Sequence, residues 1–353
     1  MKNRIYSIYI IVATLLAASL SVYAQPSLPV VRPVCGDSVV FFSRDATNWP
    51  LLALTVDRDA TPSPIAIPRK LLELQLSHWQ NATLPNLNLV GGSGDATTIQ
   101  GYSAMATFYE AAALWMQTGE SQFIDAAERA LFGGLPDAMF HSPDAMERAM
   151  AAQAMADASQ MVYSTDTAGV LVNFYLNTFA HIVTPDSLDV VIDQSTAMPW
   201  GPMTRIRLSG KGREPVTLAL RLRIPEWLTE KPIIYVNGHD SEYTMARGYA
   251  VIRRKWTYGD ELYMTFDTTP KPCAVENGNV VRCGPVVYCT TDSLPNAGLL
   301  RIEAAAPDEQ TGHPLYTLKP ADAGSIESAV LRPFFEATPV RRQIVFNALV
   351  ADD

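Results

Sequence analysis

The stretch Val216-Thr217-Leu218-Ala219-Leu220-Arg221-Leu222-Arg223-Ile224 decides the fold. Val216, Leu218, Leu220, Leu222 and Ile224 alternate with Thr217, Ala219, Arg221 and Arg223, the period of two that describes a strand with one apolar and one wet face. Downstream, Asn237-Gly238 and Gly259-Asp260 mark tight turns, and Leu262, Met264 and Phe266 alternate again. Short strands separated by turns at this interval predict an antiparallel sandwich, assigned to residues 170–353.

Upstream the period changes to that of helices. Met105, Phe108, Ala112 and Trp115 share one face and stop at Thr118-Gly119, a glycine suited to ending a helix. A further helix runs from Ser121 to Leu131 and breaks at Gly133-Gly134. Ser142-Pro143 reads as N-cap and first helical residue of another, with an Ala- and Met-rich body reaching Ser159. Before these, Pro68 opens a segment in which Leu72, Leu76 and Trp79 fall at helical spacing, ended by Gly91-Gly92-Ser93-Gly94. Residues 69–169 are therefore read as a helical region.

Seven prolines between Pro26 and Pro68 make residues 25–68 an extended or looping segment, with a short strand expected at Val39 to Phe42. Residues 1–24 read as a secretory signal: Lys2 and Arg4 precede an apolar run from Ile8 to Leu20, and Val22-Tyr23-Ala24 has the small-residue spacing of a cleavage site. The expectation is an exported, periplasmic or extracellular chain with no membrane span once the signal is removed. The apolar run is shorter than the roughly 20 residues of a spanning helix.

With 353 residues, 48% of them hydrophobic and 18% charged, the chain is long enough for two domains around a full core. The net charge of −9 excludes a nucleic-acid partner, because such affinity rests on clustered Lys and Arg. Arg253-Arg254-Lys255 is dense but lies in a strand pattern, as a solvated face would. Cys35, Cys273, Cys283 and Cys289 permit disulfides in an oxidising compartment, with three connectivities open. Cys283 and Cys289 read as parts of one extended segment, roughly 20 Å apart and beyond bridging distance. The chain has no Cys-x-x-Cys pair of the kind that builds a thiolate metal site.

Several words of the sequence resemble glycoside hydrolase family 127, the β-L-arabinofuranosidase-like family. They are Gln194-Ser195-Thr196-Ala197-Met198-Pro199-Trp200, Leu222-Arg223-Ile224-Pro225-Glu226-Trp227, Val236-Asn237-Gly238, Gly248-Tyr249, Lys255-Trp256 and Cys283-Gly284-Pro285-Val286-Val287-Tyr288. In the helical region His78-Trp79-Gln80-Asn81, Val90-Gly91-Gly92-Ser93-Gly94 and Asp125-Ala126-Ala127-Glu128-Arg129-Ala130-Leu131 are similar to that family too. The resemblance implies an α+β multidomain protein: a partial (α/α)6-type barrel, with helices for roughly half of one, followed by the antiparallel β-sandwich.

The resemblance also implies a chemistry whose residues are replaced here. Family members hold a Cys nucleophile on zinc with further Cys and a Glu, and a second Glu serves as acid/base. The Glu-x-Cys word falls on Gly101-Tyr102-Ser103, and the Cys-Cys pair on His141-Ser142. The acid/base loop falls on Gly94-Asp95-Ala96, so Asp95 is the nearest carboxylate for that role. No zinc or other cofactor is expected. Ser103, His141 and Ser142 remain as positions for substrate contact.

Three readings follow: an exported, catalytically degenerate binder of plant-type, arabinose-containing glycans; a glycosidase acting on L-arabinofuranosides through a non-standard site; or a structural or decayed fragment acting through protein contacts. Half a barrel also leaves an apolar flank, which residues 25–68 would cover or through which two copies would pair. Trp79 and Trp115 are expected in the core, Trp200 is a candidate for stacking on sugar, and Asp125, Glu128 and Glu147 are expected on solvated helix surfaces.

Overall fold

The computed structural model describes residues 32–33 and 101–350, except 167–168, 184–188, 211–215, 276–277, 295–298, 322–327, 340–341 and 347–348. The expected signal, the strand at Val39 to Phe42, the helix containing Leu72, Leu76 and Trp79, and Asp95 lie outside those residues.

Among the described residues, four α-helices follow the strand at Arg32–Pro33: α1 (Gly101–Thr118), α2 (Ser121–Leu131), α3 (Gly134–His141) and α4 (Ala145–Asp157). Met105, Phe108, Ala112 and Trp115 are all buried, as the spacing of α1 predicts. Gly119, at φ 68°, closes the helix by donating its N–H to the Trp115 carbonyl at 2.7 Å. Where Gly133-Gly134 was expected to break the chain, only a two-residue turn, Phe132 and Gly133, separates α2 from α3. Its Leu135 and Ala138 are buried, so packing carries the chain on as helix. Ser142 ends α3 rather than opening α4, because Asp144 lies closer to the new helix and caps it through the Met146 N–H at 2.8 Å.

The strands form three sheets. The first has the order β1 (Arg32–Pro33), β2 (Tyr163–Asp166), β3 (Gly169–Val172), β7 (Val216–Arg223), β11 (Tyr249–Trp256), β10 (Thr244–Ala246). The second has the order β4 (Thr178–Val183), β5 (Asp189–Thr196), β6 (Met203–Ser209), β12 (Glu261–Thr265), β8 (Ile234–Val236), β9 (His239–Asp240). Pairing within both is antiparallel except for β3 beside β7. Their inner residues, among them Leu220, Leu222, Ile192, Ile206, Leu208, Leu262 and Met264, are buried in one apolar cluster with the helices. The third sheet runs β13 (Lys271–Val275), β14 (Gly278–Cys283), β15 (Val286–Cys289), β18 (Ala329–Pro333), β17 (Tyr316–Pro320), β16 (Leu300–Ala304), β19 (Leu349–Val350).

Asn237 and Gly238, at φ 53° and 79°, make the two-residue hairpin that Asn-Gly predicts. Arg247 and Gly248 make a second, at φ 51° and 79°. At Gly248 a Cβ would lie 1.7 Å from the Ser121 hydroxyl, so only glycine lets α2 begin there. The Ser121 N–H reaches the Arg247 carbonyl at 3.0 Å, fixing the helix to the sheet. Cys283 and Cys289 are not on one extended segment: the turn at Gly284 and Pro285 separates them into the hairpin β14–β15. Neither forms a disulfide, and nor does Cys273.

The outer face of β7 departs most from its sequence pattern. Thr217 is exposed, but Ala219 and Arg223 are buried, with Arg223 fully removed from solvent. Its guanidinium ion-pairs with Asp125 and Glu128 of α2, and its Nε donates to the Asn173 carbonyl at 2.6 Å. The wet face of the strand is thus the seat of the helical layer. Removing Arg223 leaves two carboxylates buried without their cation, so Arg223→Met is expected to lower stability by about 3–5 kcal/mol in urea titration. Arg223→Lys will recover only part of that, because an ammonium lacks the planar fork that serves two acids and a carbonyl together.

Candidate functional site

The end of α3 carries His141 and Ser142, the positions on which the family resemblance sets a cysteine pair, and both are already engaged. His141 Nε2 donates to the Phe335 carbonyl at 2.9 Å, across to the short helical turn Phe334–Glu336 of the last sheet. Ser142 donates its hydroxyl to Glu147 of α4 and accepts the Asp144 N–H at 3.1 Å. His141 is therefore not the base for Ser142, whose hydroxyl proton points to a carboxylate five residues on. Ser103 belongs to the first turn of α1 by its backbone. Ser142 and Glu147 are both partly buried, and Arg148 donates to the Ser142 carbonyl at 2.7 Å.

Beside Phe335 the sandwich supplies a second group of side chains. Trp200, held after a cis Met198–Pro199 bond, stacks on His313 with ring centroids 4.2 Å apart and lies 6.4 Å from the Phe335 ring. The His313 ring is paired through Nδ1 with Glu336. Arg342, buried, pairs with Asp137 of α3 at 2.7 Å and covers the Phe334 ring at 4.4 Å. Trp200 is thus reserved in part for His313 rather than wholly open to a sugar, while Trp115 is core, donating its indole N–H to the Tyr249 hydroxyl at 3.1 Å. The sequence carried no sign of His313 or Glu336, which lie 113 and more positions from Trp200 and in no family word.

Asp125 and Glu128 are not on a solvated helix surface: they are 4% and 3% exposed. Glu128 also accepts the Trp227 indole N–H at 2.9 Å, and Arg129 pairs with Glu226 at 2.9 Å. Glu226 in turn approaches Arg282 of the third sheet at 3.5 Å. Three acids face three arginines across the junction, which leaves no free carboxylate for proton transfer to a ligand. The sign was present in the sequence, since Asp-x-x-Glu-Arg and Arg-x-x-Glu are complementary in charge, but only contact reveals that they meet.

Among the described residues, the thiols are not set as a zinc thiolate needs. Among the described residues no group of three or more His, Cys, Asp or Glu side chains is placed to hold a metal ion. The Cys289 thiol is buried in a small apolar cluster with Phe334 and Ile344, and burial pushes its pKa up to about 12. The Cys283 and Cys273 thiols are also raised by burial. A thiol so raised is neutral and a poor nucleophile or ligand near neutral pH. Among the described residues no helix is long and apolar enough to cross a membrane.

Residues 169–268 match the family model described as Beta-L-arabinofuranosidase, GH127 middle domain. Among solved structures, a GH127 β-L-arabinofuranosidase from Geobacillus stearothermophilus T6 is similar at 18% identity and a TM-score of 0.67, over 80% of this chain and 57% of that one. A second GH127 β-arabinofuranosidase is similar at 19% identity and a TM-score of 0.63, over 77% and 55% of the two chains. A structure described as a glycoside hydrolase follows at 16% identity and a TM-score of 0.65, over 80% and 62%. A search of curated proteins gave no match. The chain thus spans little more than half the length of the first of these structures, and at these identities the likeness to them is one of fold. Residues 169–268 are thus similar to the GH127 middle domain, and the resemblance read from the sequence words stands.

The junction also makes a pH-dependent contribution. Burial pushes the Asp125 pKa up to about 7, against the pull of Arg223 and with Glu128 and Glu226 adding to the rise. A raised folded-state pKa means that the fold binds the proton more tightly than the unfolded chain does. The contribution is therefore full below the ordinary aspartate value and is lost as pH rises toward 7. Expected is a falling stability difference between the wild type and Asp125→Asn from pH 4 to 7, measured by urea titration of both. A difference that rises over that window contradicts the assignment.

Proposed function

We propose that the chain is an exported GH127-like protein that has lost the family's zinc-thiolate catalysis and retains, at most, the binding of arabinose-containing glycans. The observation that carries this reading is the arrangement at His141 and Ser142. Where the family resemblance calls for two metal-held thiols, one side chain is bonded to the Phe335 carbonyl and the other to Glu147. A serine hydroxyl in contact with a carboxylate keeps its proton near neutral pH and gives no attacking anion without a stronger base or a metal. In this reading Ser103, His141 and Ser142 offer hydrogen bonds to sugar hydroxyls rather than chemistry. The four helices form part of an (α/α)6-type barrel, and residues 1–24 direct export.

Support for pairing of two copies comes from the outer side of the helical layer. Phe140, Met146 and Met150 are 46%, 63% and 43% exposed on α3 and α4. A flank of this kind is uncommon on a protein that stays a monomer. Light scattering is expected to give a dimer that Met146→Glu with Met150→Glu converts to a monomer.

Three measurements on the purified chain test the main reading. Metal analysis is expected to find no stoichiometric zinc, and an aryl β-L-arabinofuranoside is expected to release no nitrophenol. Titration calorimetry with arabinan fragments is expected to show weak, saturable heat. Zinc at one per chain overturns the loss of catalysis. Nitrophenol release abolished by Asp95→Asn replaces it with the enzyme reading, and absence of heat at millimolar ligand removes glycan binding.

A further inference from the structure

Strand β14 is buried on both faces from Val280 to Cys283, and one of those residues is an arginine. Arg282 is 9% exposed. Among the described residues the acid that reaches it is Glu226, from the loop after β7, at 3.5 Å from its Nη1. Glu226 spends its other oxygen on Arg129 of α2 at 2.9 Å. Asp125 and Glu128, the remaining acids of the junction, pair with Arg223. Glu226 thus lies between two guanidiniums. Burial holds the Arg129 pKa below its ordinary value, and the charge of Arg282 adds to that fall.

The Nε and Nη2 atoms of Arg282 are closed from solvent, and among the described residues neither finds an acceptor. Their N–H groups leave one edge of the guanidinium side by side, the edge that a carboxylate fills with both of its oxygens. Unmet donors on a buried charged group are costly, so the open edge calls for an acceptor. Lys271, the cross-strand neighbour of Arg282, adds a further cation, its ammonium held by Asp267 and Thr229. Charge count alone does not select the ligand, since Arg129, Arg223, Arg282 and Lys271 face Asp125, Glu128, Glu226 and Asp267. Burial pushes the Asp125 pKa up to about 7, which leaves these acids short of a full charge near neutral pH. The shape of the open edge is what selects: two parallel donors match a pair of oxygens, and a sugar hydroxyl offers one.

We propose that Arg282 anchors a small-carboxylate site where α2, the loop after β7 and β14 meet: the carboxylate of an organic or sugar acid takes both N–H groups of the open edge. Glu226, whose side chain is 37% exposed, is the outer member of the cluster and the one that swings aside to admit the ligand. Its release from Arg282 costs little, because a 3.5 Å contact to a partly exposed acid is weak. Glu226 and the entering carboxylate also repel, so this residue opposes the ligand as well as covering its way in. The site stands apart from the glycan reading above, whose contacts lie at the end of α3.

Titration calorimetry of the full chain with acetate, D-galacturonate, phosphate and D-galactose tests it, at one pH and ionic strength. Expected is saturable binding of a carboxylate at one per chain and none of galactose. Arg282→Gln is expected to weaken that binding by about tenfold or more. Glu226→Gln, which removes the opposing charge, is expected to tighten it about threefold. Arg253→Gln, at an exposed cation of the first sheet, leaves it unchanged. Melting curves check that each variant folds, and the gain from Glu226→Gln decides the matter if Arg282→Gln does not fold. Galacturonate bound more tightly than acetate supports the site as one for sugar acids, and equal affinity supports it as one for small free acids. Phosphate bound more tightly than either carboxylate overturns the ligand class. No binding of any of them overturns the site, as does carboxylate binding that neither variant alters or that Glu226→Gln abolishes.

Discussion

The structure turns on one buried cation. Arg223 stands at the end of a strand whose other residues build an ordinary sandwich, and it is fully removed from water. An isolated charge in that position is costly by several kcal/mol, so its surroundings are constrained. Two acids from α2, a carbonyl from the loop after β3 and the faces of neighbouring aromatics must all be in place before it is tolerated. The Tyr175 hydroxyl donates to the Arg223 carbonyl at 2.5 Å, and Tyr249 links Trp115 to Asn173 beside it. The helical layer and the sandwich are thus specified by one another, through groups that fail together if either is misplaced.

From that junction the charges continue outward to Arg129, Glu226 and Arg282, which bring in the third sheet. A second tie, between Asp137 and Arg342, fixes α3 to the last part of the chain. His141 is held by the same contact region, because its partner carbonyl belongs to the turn that Arg342 covers. The end of α3 is therefore positioned by the sandwich as well as by its helical neighbours. Side chains there are oriented by structural bonds, and a residue whose donor is spent on a carbonyl is not available for proton relay.

The strand pattern was legible because β6 and β12 each bury alternate residues, and the two-residue turn at Asn237-Gly238 needs a backbone that few other pairs adopt. The buried face of α1 was legible for the same reason at a different period. Reading failed where long-range partners overrule local pattern. Arg223 looked like one polar residue among alternating ones, since nothing in its neighbourhood announces that two acids almost a hundred positions earlier will meet it. Ser142-Pro143 carried the local signature of a helix start, yet Asp144 competes for the same role and wins by position. Gly133-Gly134 looked like a break because its flexibility is local, whereas the burial of Leu135 and Ala138 that resumes the helix is not. The candidate site was legible only as a set of replaced residues. The bonds made at His141 and Ser142, an imidazole on a carbonyl and a hydroxyl on Glu147, depend on side-chain directions that spacing does not encode.

A metal-thiolate site and a hydrogen-bonded cap make opposite demands on the same positions. The thiolate needs an electropositive centre and ligands free of other bonds, because a metal must displace whatever holds them. A helix end needs each polar atom satisfied within the chain. At Ser142 the second demand has been met: the residue closes α3, accepts from Asp144 and donates to Glu147, which stands where a like charge beside a thiolate would oppose its formation. Placing two cysteines at 141 and 142 alone would therefore not make a metal thiolate. It would remove a bond to Phe335 and another to Glu147, and leave a partly buried carboxylate facing the new thiol, raising its pKa where a thiolate needs it lowered.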